Sequence, residues 1–510
     1  MKLVIVGDTL LDRDVDGSVR RIAPDAPAPV LDEESVRERP GGAGLAAVLA
    51  RRQGYKVSLV TAIAADEPGA RLTRLLTEAG VEVYPLPLPG ATPEKVRLRA
   101  AGQVLLRLDR GGPPVPPGDV PSAVLDVLRD AGAILVSDYG RGVARHPALR
   151  TALEETKAPV VWDPHPNGPA PVANVRLVTP NESEALRLAG DAGNGSKLAA
   201  AQRSGHQLRQ RWRAGAVVVT CGARGAVLCH SGPTPLVVPA PRVSAGDTCG
   251  AGDSFAAAAA IALANGALVS EAVQQAVEAA SAYVAGDKTA AAGKPAGHGT
   301  AGDRAAGDRS AGSKATGDKA AEDKAVEDKA AEEDKAATAG GASEVVARVR
   351  ASGGTIVATG GCFDLLHTGH LATLRAARSL GDCLIVCLNS DDSVRRLKGP
   401  DRPLNTEADR ARLLAALDCV DAVVIFDEPT PESVLAWLRP DIWVKGGDYA
   451  DGGPEMPEAE LMKRWGGQTV IVPYLDGRST TKTIQAAKTI QAAKTIQAAK
   501  TIQAAKTGGQ

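Results

Sequence analysis

Between Gly286 and Gly341 this 510-residue chain has nothing from which to build a core. The segment is Ala, Gly, Asp and Lys almost throughout, with Asp-Lys or Asp-Arg recurring at short intervals, as in GDRSAGSKATGDKAAEDKAVEDKAAEEDKAA. It holds no aromatic and almost no branched apolar residue, so burial cannot offset the entropy of ordering it. The chain is therefore expected to fold as two halves joined by a flexible linker, whose reach as a coil of about 54 residues is about 40 Å. The boundaries placed on this basis are a first domain over 1–293, the linker over 294–342, a second domain over 343–482 and a tail over 483–510. In the tail KTIQAA repeats four times. Six residues advance a helix by about 600°, so Ile and Gln keep to no single face, and the tail is expected to be disordered.

Both halves read as α/β. In the first, the apolar runs KLVIVG, KVSLVTAI, AILVSD, PVVWD, VRLVTP and AVVVTCG alternate with Ala/Leu helical patterns. Near-continuous apolar strands interleaved with helices point to a parallel sheet covered on both faces. The more polar VLDEESVRERPGG is expected to form a smaller sheet outside it. The second half runs TIVATGG, a helix, DCLIVCLNS, DAVVIF, DIWVKGG and QTVIVPY. A formal net charge of −1 and a pI near 6.7 give no footprint for nucleic acid or an acidic membrane. The opening run before Asp8 is too short for a signal sequence, and no apolar stretch is long enough to span a bilayer. Seven cysteines without a C-x-x-C pair read as reduced thiols, and a cytoplasmic location is expected.

Two strings carry chemistry. In VSAGDTCGAGDSFAAAAAIAL, Gly250, Ala251 and Gly252 can turn their amides toward an anion, and the Ala-rich helix behind them adds its positive end. Asp253 at the helix mouth is placed to take a proton from an attacking hydroxyl. A glycine turn with an aspartate cap would account for a few of these residues but not for the whole string. In TGGCFDLLHTGHLATL, His367 and His370 follow an apolar run and bracket Gly369 at a helix start, where a phosphate can be received. Phosphate binding, zinc ligation, acid/base work and an incidental helix start all fit that spacing, although no third ligand completes a zinc set.

The first string, D-T-x-G-A-G-D-x-F, resembles the second signature of ribokinase-type carbohydrate kinases, which implies Asp253 as catalytic base and Gly250 to Gly252 as an anion hole. TPNESEA, with Asn181 and Glu184, resembles that family's N-x-x-E motif, which orders Mg²⁺. VTCGARGAVL, with Thr220, Gly222 and Gly225, resembles its ATP-contacting strand-turn-strand. PGGAGLAAVLARRQG, with Gly41 and Gly42, resembles the first signature on the sugar side, except that Leu45 stands where an Asn is usual. Asp12, Arg107 and Asp109 are further sugar-side candidates. Gly42-x-Gly44-x-x-Ala47 also matches a dinucleotide fingerprint with Asp66 downstream, but ESVRERP before it is no buried strand.

Gly361, Phe363, Asp364, His367, Gly369 and His370 resemble the signature of cytidylyltransferase-like nucleotidyltransferases, in which H-x-G-H binds NTP phosphates. This implies a Rossmann-like second domain. DGRSTTKTI, with Ser479, Thr480 and Thr481, resembles the family's second phosphate motif, and Lys398 and Lys445 are candidate phosphate ligands. Together the halves resemble the bifunctional heptose 7-phosphate kinase/heptose 1-phosphate adenylyltransferases, also over SDYGRG, NSDDSVRRLKGPDRPLN and LRPDIWVKGGDY. The resemblance implies phosphorylation of D-glycero-β-D-manno-heptose 7-phosphate at C1, removal of the 7-phosphate by a separate phosphatase, and adenylyl transfer from ATP to heptose 1-phosphate. ATP and sugar phosphates as ligands, Mg²⁺ as cofactor and a homodimer are the accompanying expectations.

Overall fold

The computed structural model describes residues 2–243, 248–286, 340–447 and 457–473. The chain divides into two compact units between His298 and Gly299. The KTIQAA tail and all of the expected linker except 340–342 lie outside the described residues.

The first unit contributes β1 (Lys2–Gly7), β2 (Thr9–Ile22), β3 (Pro29–Gly42), β4 (Lys56–Ile63), β5 (Glu82–Pro87), β6 (Glu94–Ala100), β7 (Gln103–Arg110), β8 (Ala133–Ser137), β9 (Val160–Asp163), β10 (Leu177–Val178), β11 (Val217–Thr220), β12 (Ala226–Cys229) and β13 (Leu236–Val238). Its main sheet runs β13-β12-β11-β10-β9-β8-β1-β4-β5. Leu3 to Val6 of β1 and Ala133 to Val136 of β8 are completely buried, as the unbroken apolar runs of a doubly covered sheet require. All neighbours from β5 to β11 are parallel. The edge pairs β11–β12 and β12–β13 are antiparallel. The reason is local: the link from Thr220 to Ala226 is one tight turn, too short for a parallel crossover. VRLVTP yields only a two-residue strand. The chain leaves β1 toward β4 and β5 and returns to its other side at β8, so the topological switch point lies between β1 and β8, where α/β sheets hold ligands at their carboxyl ends.

A second sheet, β3-β2-β6-β7, carries alternating rows. Arg37, Asp14, Arg97 and Arg107 are register partners in one row, and Arg39, Asp12, Lys95 and Asp109 in another. The row next to the Asp14 row on the opposite face is Val36, Val15, Leu98 and Leu106, while the row between the two charged ones is Glu38, Arg13, Val96 and Leu108. Period-two alternation puts these charged rows on one face and the Val15 stripe on the other, beside the Arg13–Glu38 ion pair. VLDEESVRERPGG does form part of this small sheet, paired with a strand of 14 residues, Thr9–Ile22.

The second unit contributes β14 (Ile356–Gly361), β15 (Cys383–Asn389), β16 (Ala422–Phe426), β17 (Ile442–Gly447) and β18 (Gln468–Pro473). They form an all-parallel array in the order β16-β15-β14-β17-β18. Residues 340–351 are helical and bury Ala342, Val345, Val346 and Val349 against Ile356, Ile385 and Trp443. That spacing is one helical face. No helix among the described residues is long and apolar enough to cross a membrane, and all seven cysteines are free thiols.

Candidate active sites

In the first unit the carboxyl ends of β1, β8, β9, β10 and β11 carry Asp8, Asp138, Asp163, Asn181 and Thr220. Asp8 is only 4% exposed. Its Oδ2 accepts the amides of Tyr139 at 3.1 Å and Arg141 at 2.8 Å, and its Oδ1 accepts that of Val143 at 3.1 Å. A buried carboxylate satisfied by three amides fixes the loop after β8. That loop delivers the Tyr139 hydroxyl to Asp253 Oδ1, 2.8 Å away.

Asp253 lies in the first turn of the helix Ala251–Ala264 and is 6% exposed. This helix is buried on every side, and its run of alanines allows close packing against the helices Ala43–Arg52 and Val269–Val284. Burial pushes the Asp253 carboxyl up to about 7, Tyr139 and Lys95 pull it back, and Asp12 adds to the rise. Gly250, the residue before the helix, has φ +94°, and a β-carbon there would meet Leu45 Cδ2 at 2.7 Å and the Tyr283 hydroxyl at 2.8 Å. Only glycine serves both the conformation and the space. The Ala251 amide turns back to the Thr248 carbonyl at 3.1 Å. Gly42, with φ +61°, is likewise closed to a side chain, because a β-carbon would sit 2.6 Å from the Asp8 carbonyl oxygen, with the Tyr139 ring a further tight neighbour at 3.3 Å.

The expected sugar-side residues divide. A β-carbon on Gly41 would sit 2.8 Å from Asp12 Oδ2, so these two are adjacent, and Gly42 and Leu45 border the Tyr139–Asp253 pair. Asp12 is bonded by Arg97 Nη1 at 3.1 Å. Arg107 and Asp109 lie on the same charged face but bond each other at 2.8 Å, with 55% and 60% of their side chains exposed. On the nucleotide side, Asn181 and Glu184 form a reciprocal capping box on the helix Glu182–Ala189, and Asn181 bridges to Thr220. Gly222 and Gly225 shape the turn between β11 and β12. Burial raises the Glu184 carboxyl. Asp163 is pushed well above its ordinary value by burial and then by Asp253, with Glu184 and Asp138 adding to the rise. Such a crowd of carboxylates suits a divalent cation, although among the described residues no three ligands are grouped to hold one alone. Mg²⁺ commonly takes one or two carboxylates and completes its shell with substrate phosphates.

In the second unit β14 ends at Gly361, and the helix Thr368–Arg378 follows a short loop. His367 is the N-cap: its Nδ1 accepts the amides of Gly369 at 3.1 Å and His370 at 3.4 Å. An imidazole accepting at Nδ1 carries its proton on Nε2 when neutral, so the far side of the ring is a donor. The His367 and His370 rings stack at 3.9 Å, and Phe363 packs on His370 at 5.2 Å. Burial, then the His367 and Lys398 charges, push His370 down to about 4. Lys398, at the end of the helix Asp391–Lys398, is thus within electrostatic reach of the pair. Asp364 is buried and accepts the Leu404 amide at 2.7 Å, with Arg402 Nε at 2.5 Å from its other oxygen. Lys445 is engaged by Glu458 at 2.6 Å. Ser479, Thr480 and Thr481 lie outside the described residues. Neither these histidines nor any others among the described residues form a metal cluster. Asp66 is the cap of the helix Glu67–Glu78, accepting the Gly69 amide at 2.9 Å.

Two organising residues escaped the sequence reading. Tyr139 is one. The other is Arg410, completely buried, which donates to Cys362 O at 2.6 Å, Asn389 O at 2.8 Å, Asn405 O at 3.0 Å and Asp391 Oδ1 at 2.6 Å. It ties the loops after β14 and β15 together.

Residues 135–295 match the pfkB family carbohydrate kinase model, and residues 358–485 match the cytidylyltransferase-like model. A bifunctional protein HldE of Streptomyces coelicolor is 51% identical over 95% of this chain and 96% of its own length. The bifunctional protein HldE of Paramagnetospirillum magneticum is 37% identical over 95% of each chain. Among solved structures, Arabidopsis thaliana ribokinase complexed with ribose and ATP covers 55% of this chain and 92% of its own, with 22% identity and a TM-score of 0.45.

Proposed function

Because the chain belongs to the family of bifunctional HldE proteins, a sugar kinase joined to a nucleotidyltransferase, we propose that it makes an ADP-activated heptose in two separate steps. The observation that carries this reading is the coexistence on one chain of a buried, hydrogen-bonded Asp253 at a helix start and a stacked His367–His370 pair at another.

In the first step Asp253 takes the proton of the C1 hydroxyl of D-glycero-β-D-manno-heptose 7-phosphate. The freed oxygen bonds to the γ-phosphorus of ATP as the bond to the β-phosphate oxygen breaks, and ADP leaves. The Gly250–Ala251–Gly252 turn at the positive end of the helix would face the charge of the transferring group, with the Ala251 amide held back on the Thr248 carbonyl. Asp12, Gly41, Gly42 and Leu45 border the sugar, with Arg107 and Asp109 above it on the charged sheet. Thr220, Gly222 and Gly225 border the nucleotide. Asn181 and Glu184 would order Mg²⁺ through its waters beside the nucleotide phosphates, and the ion would neutralise phosphate charge.

In the second step an oxygen of heptose 1-phosphate bonds to the α-phosphorus of a second ATP as the α–β bridge breaks, releasing pyrophosphate. No covalent nucleophile is needed. His367 through its outer N–H, His370, Lys398 and the helix start stabilise the phosphate charge. Gly361, Phe363, Asp364 and Gly369 shape that pocket, and Lys445, Ser479, Thr480 and Thr481 are assigned to binding the triphosphate.

The linker and tail assignments belong to the same proposal, as do a cytoplasmic location and a homodimer. The Val36–Val15–Leu98–Leu106 stripe supports the dimer, because Val36 and Leu106 at its ends are 44% and 55% exposed. Incubating the protein with heptose 7-phosphate and ATP, or heptose 1-phosphate and ATP, tests the activities. Mass spectrometry should find the 1,7-bisphosphate in the first case, and ADP-heptose with pyrophosphate in the second. Neither product in either mixture would refute the reading.

A further inference from the structure

We propose that Tyr139 is the positioning residue of the kinase base: its phenol locks one oxygen of Asp253 and leaves the other to receive the substrate proton. This rests on Asp253 acting as that base.

The geometry is specific. The phenol donates to Oδ1 at 2.8 Å across 114 residues of sequence. Its backbone is held by the Asp8 carboxylate, and its ring packs over Gly42, 3.3 Å from where a β-carbon would sit. A carboxylate with one oxygen engaged by a fixed donor has one rotamer and one free oxygen, which is the preorganisation that proton transfer needs. The phenol itself stays protonated, because burial and then the Asp253 charge push it well above its usual value. It is therefore a permanent donor that favours the ionised form of the base. The other titratable groups facing the pair are Lys95 from β6, Asp12 from β2, Asp163 from β9 and Cys249 from the turn before the helix. Lys95 favours the ionised carboxylate and Asp12 opposes it, while the Asp253 charge in turn raises Asp163.

The test is the pH dependence of kinase kcat/KM in the full chain. Removing a donor to the charged form raises the pKa of Asp253, so Tyr139→Phe should move the acid limb alkaline by about one pH unit. Turnover should fall by roughly tenfold below that limb and much less above it. Replacing Tyr139 by 3,5-difluorotyrosine retains the shape with a stronger donor, and should move the limb the other way. The second variant keeps the test open if the phenylalanine protein folds poorly. A Tyr139→Phe enzyme slowed equally at every pH, or a fluorinated enzyme with an unmoved limb, overturns this role while leaving the kinase reading intact. Absence of phosphorylation by the unmodified protein overturns both.

Discussion

Asp253 and His370 occupy matching places in the two units, each in the first turn of a helix that follows a glycine-bearing loop at the carboxyl edge of a parallel sheet. Both are substantially buried, and burial disfavours whichever form is charged. The outcomes are opposite. The Asp253 carboxyl is raised to about 7, and the His370 imidazole is lowered to about 4. Desolvation therefore poises the carboxylate in the physiological range, where it can exchange a proton with substrate. It holds the histidine neutral throughout that range, where it can only donate or accept a hydrogen bond. On the proposed assignments, one chain uses the same physical effect to make a titrating base in one half and a non-titrating hydrogen-bond donor to phosphate in the other.

The comparison breaks most sharply by removing each group in turn. Asp253→Asn keeps the shape but cannot take a proton, so kinase turnover should fall by about 10² or more while adenylyl transfer from supplied sugar 1-phosphate persists. His370→Ala should show the converse, a loss of roughly 10² in adenylyl transfer with phosphorylation intact. Each reaction is followed by product mass spectrometry in the same preparation. A variant that lowers both activities equally would show that the two sites are not separate devices.

Arg410 sharpens the structural side of the contrast. Arg410→Met leaves three backbone carbonyls and Asp391 without their donor, a change that typically costs about 3 kcal/mol or more. Calorimetry should show the second unit melting earlier and the first unchanged. A single transition that moves as a whole would contradict that independence.

Leu45 offers a smaller effect. Its methyl group reaches the turn at Gly250, in a position where the kinase signature usually carries an amide. A sugar hydroxyl left without that partner typically costs about 1–3 kcal/mol. Leu45→Asn should therefore raise kinase kcat/KM by roughly tenfold, chiefly through KM, and leave adenylyl transfer unchanged. A drop in kinase activity would mean that the leucine is required against Gly250.

These contrasts were unevenly legible in the sequence. The buried strands, the GAGD string and the H-x-G-H pair could be read because each is local: an apolar run, a glycine turn, a helix start. Tyr139 could not, because its bond to Asp253 spans 114 residues and no spacing rule links them. Arg410 sits in EADRARLLA, where helical periodicity suggests a solvated charge, yet carbonyls 48, 21 and 5 residues away make burial tolerable. The strand Thr9–Ile22 was hidden for a related reason. Its aspartates pair with arginines on neighbouring strands, so it lacks the apolar run that marks a core strand. Lys445 was legible as a cation, but its pairing with Glu458 was not.

The most direct test is to measure kcat/KM for both reactions between pH 6 and pH 8 in one preparation. Both use ATP and a sugar phosphate, so titration of shared substrate groups largely cancels in the ratio. With the base raised to about 7 and the histidine lowered to about 4, the kinase should lose about tenfold relative to adenylyl transfer on going from pH 8 to pH 6. Two profiles that fall together, or a kinase rate as flat as the transferase rate, would contradict the account.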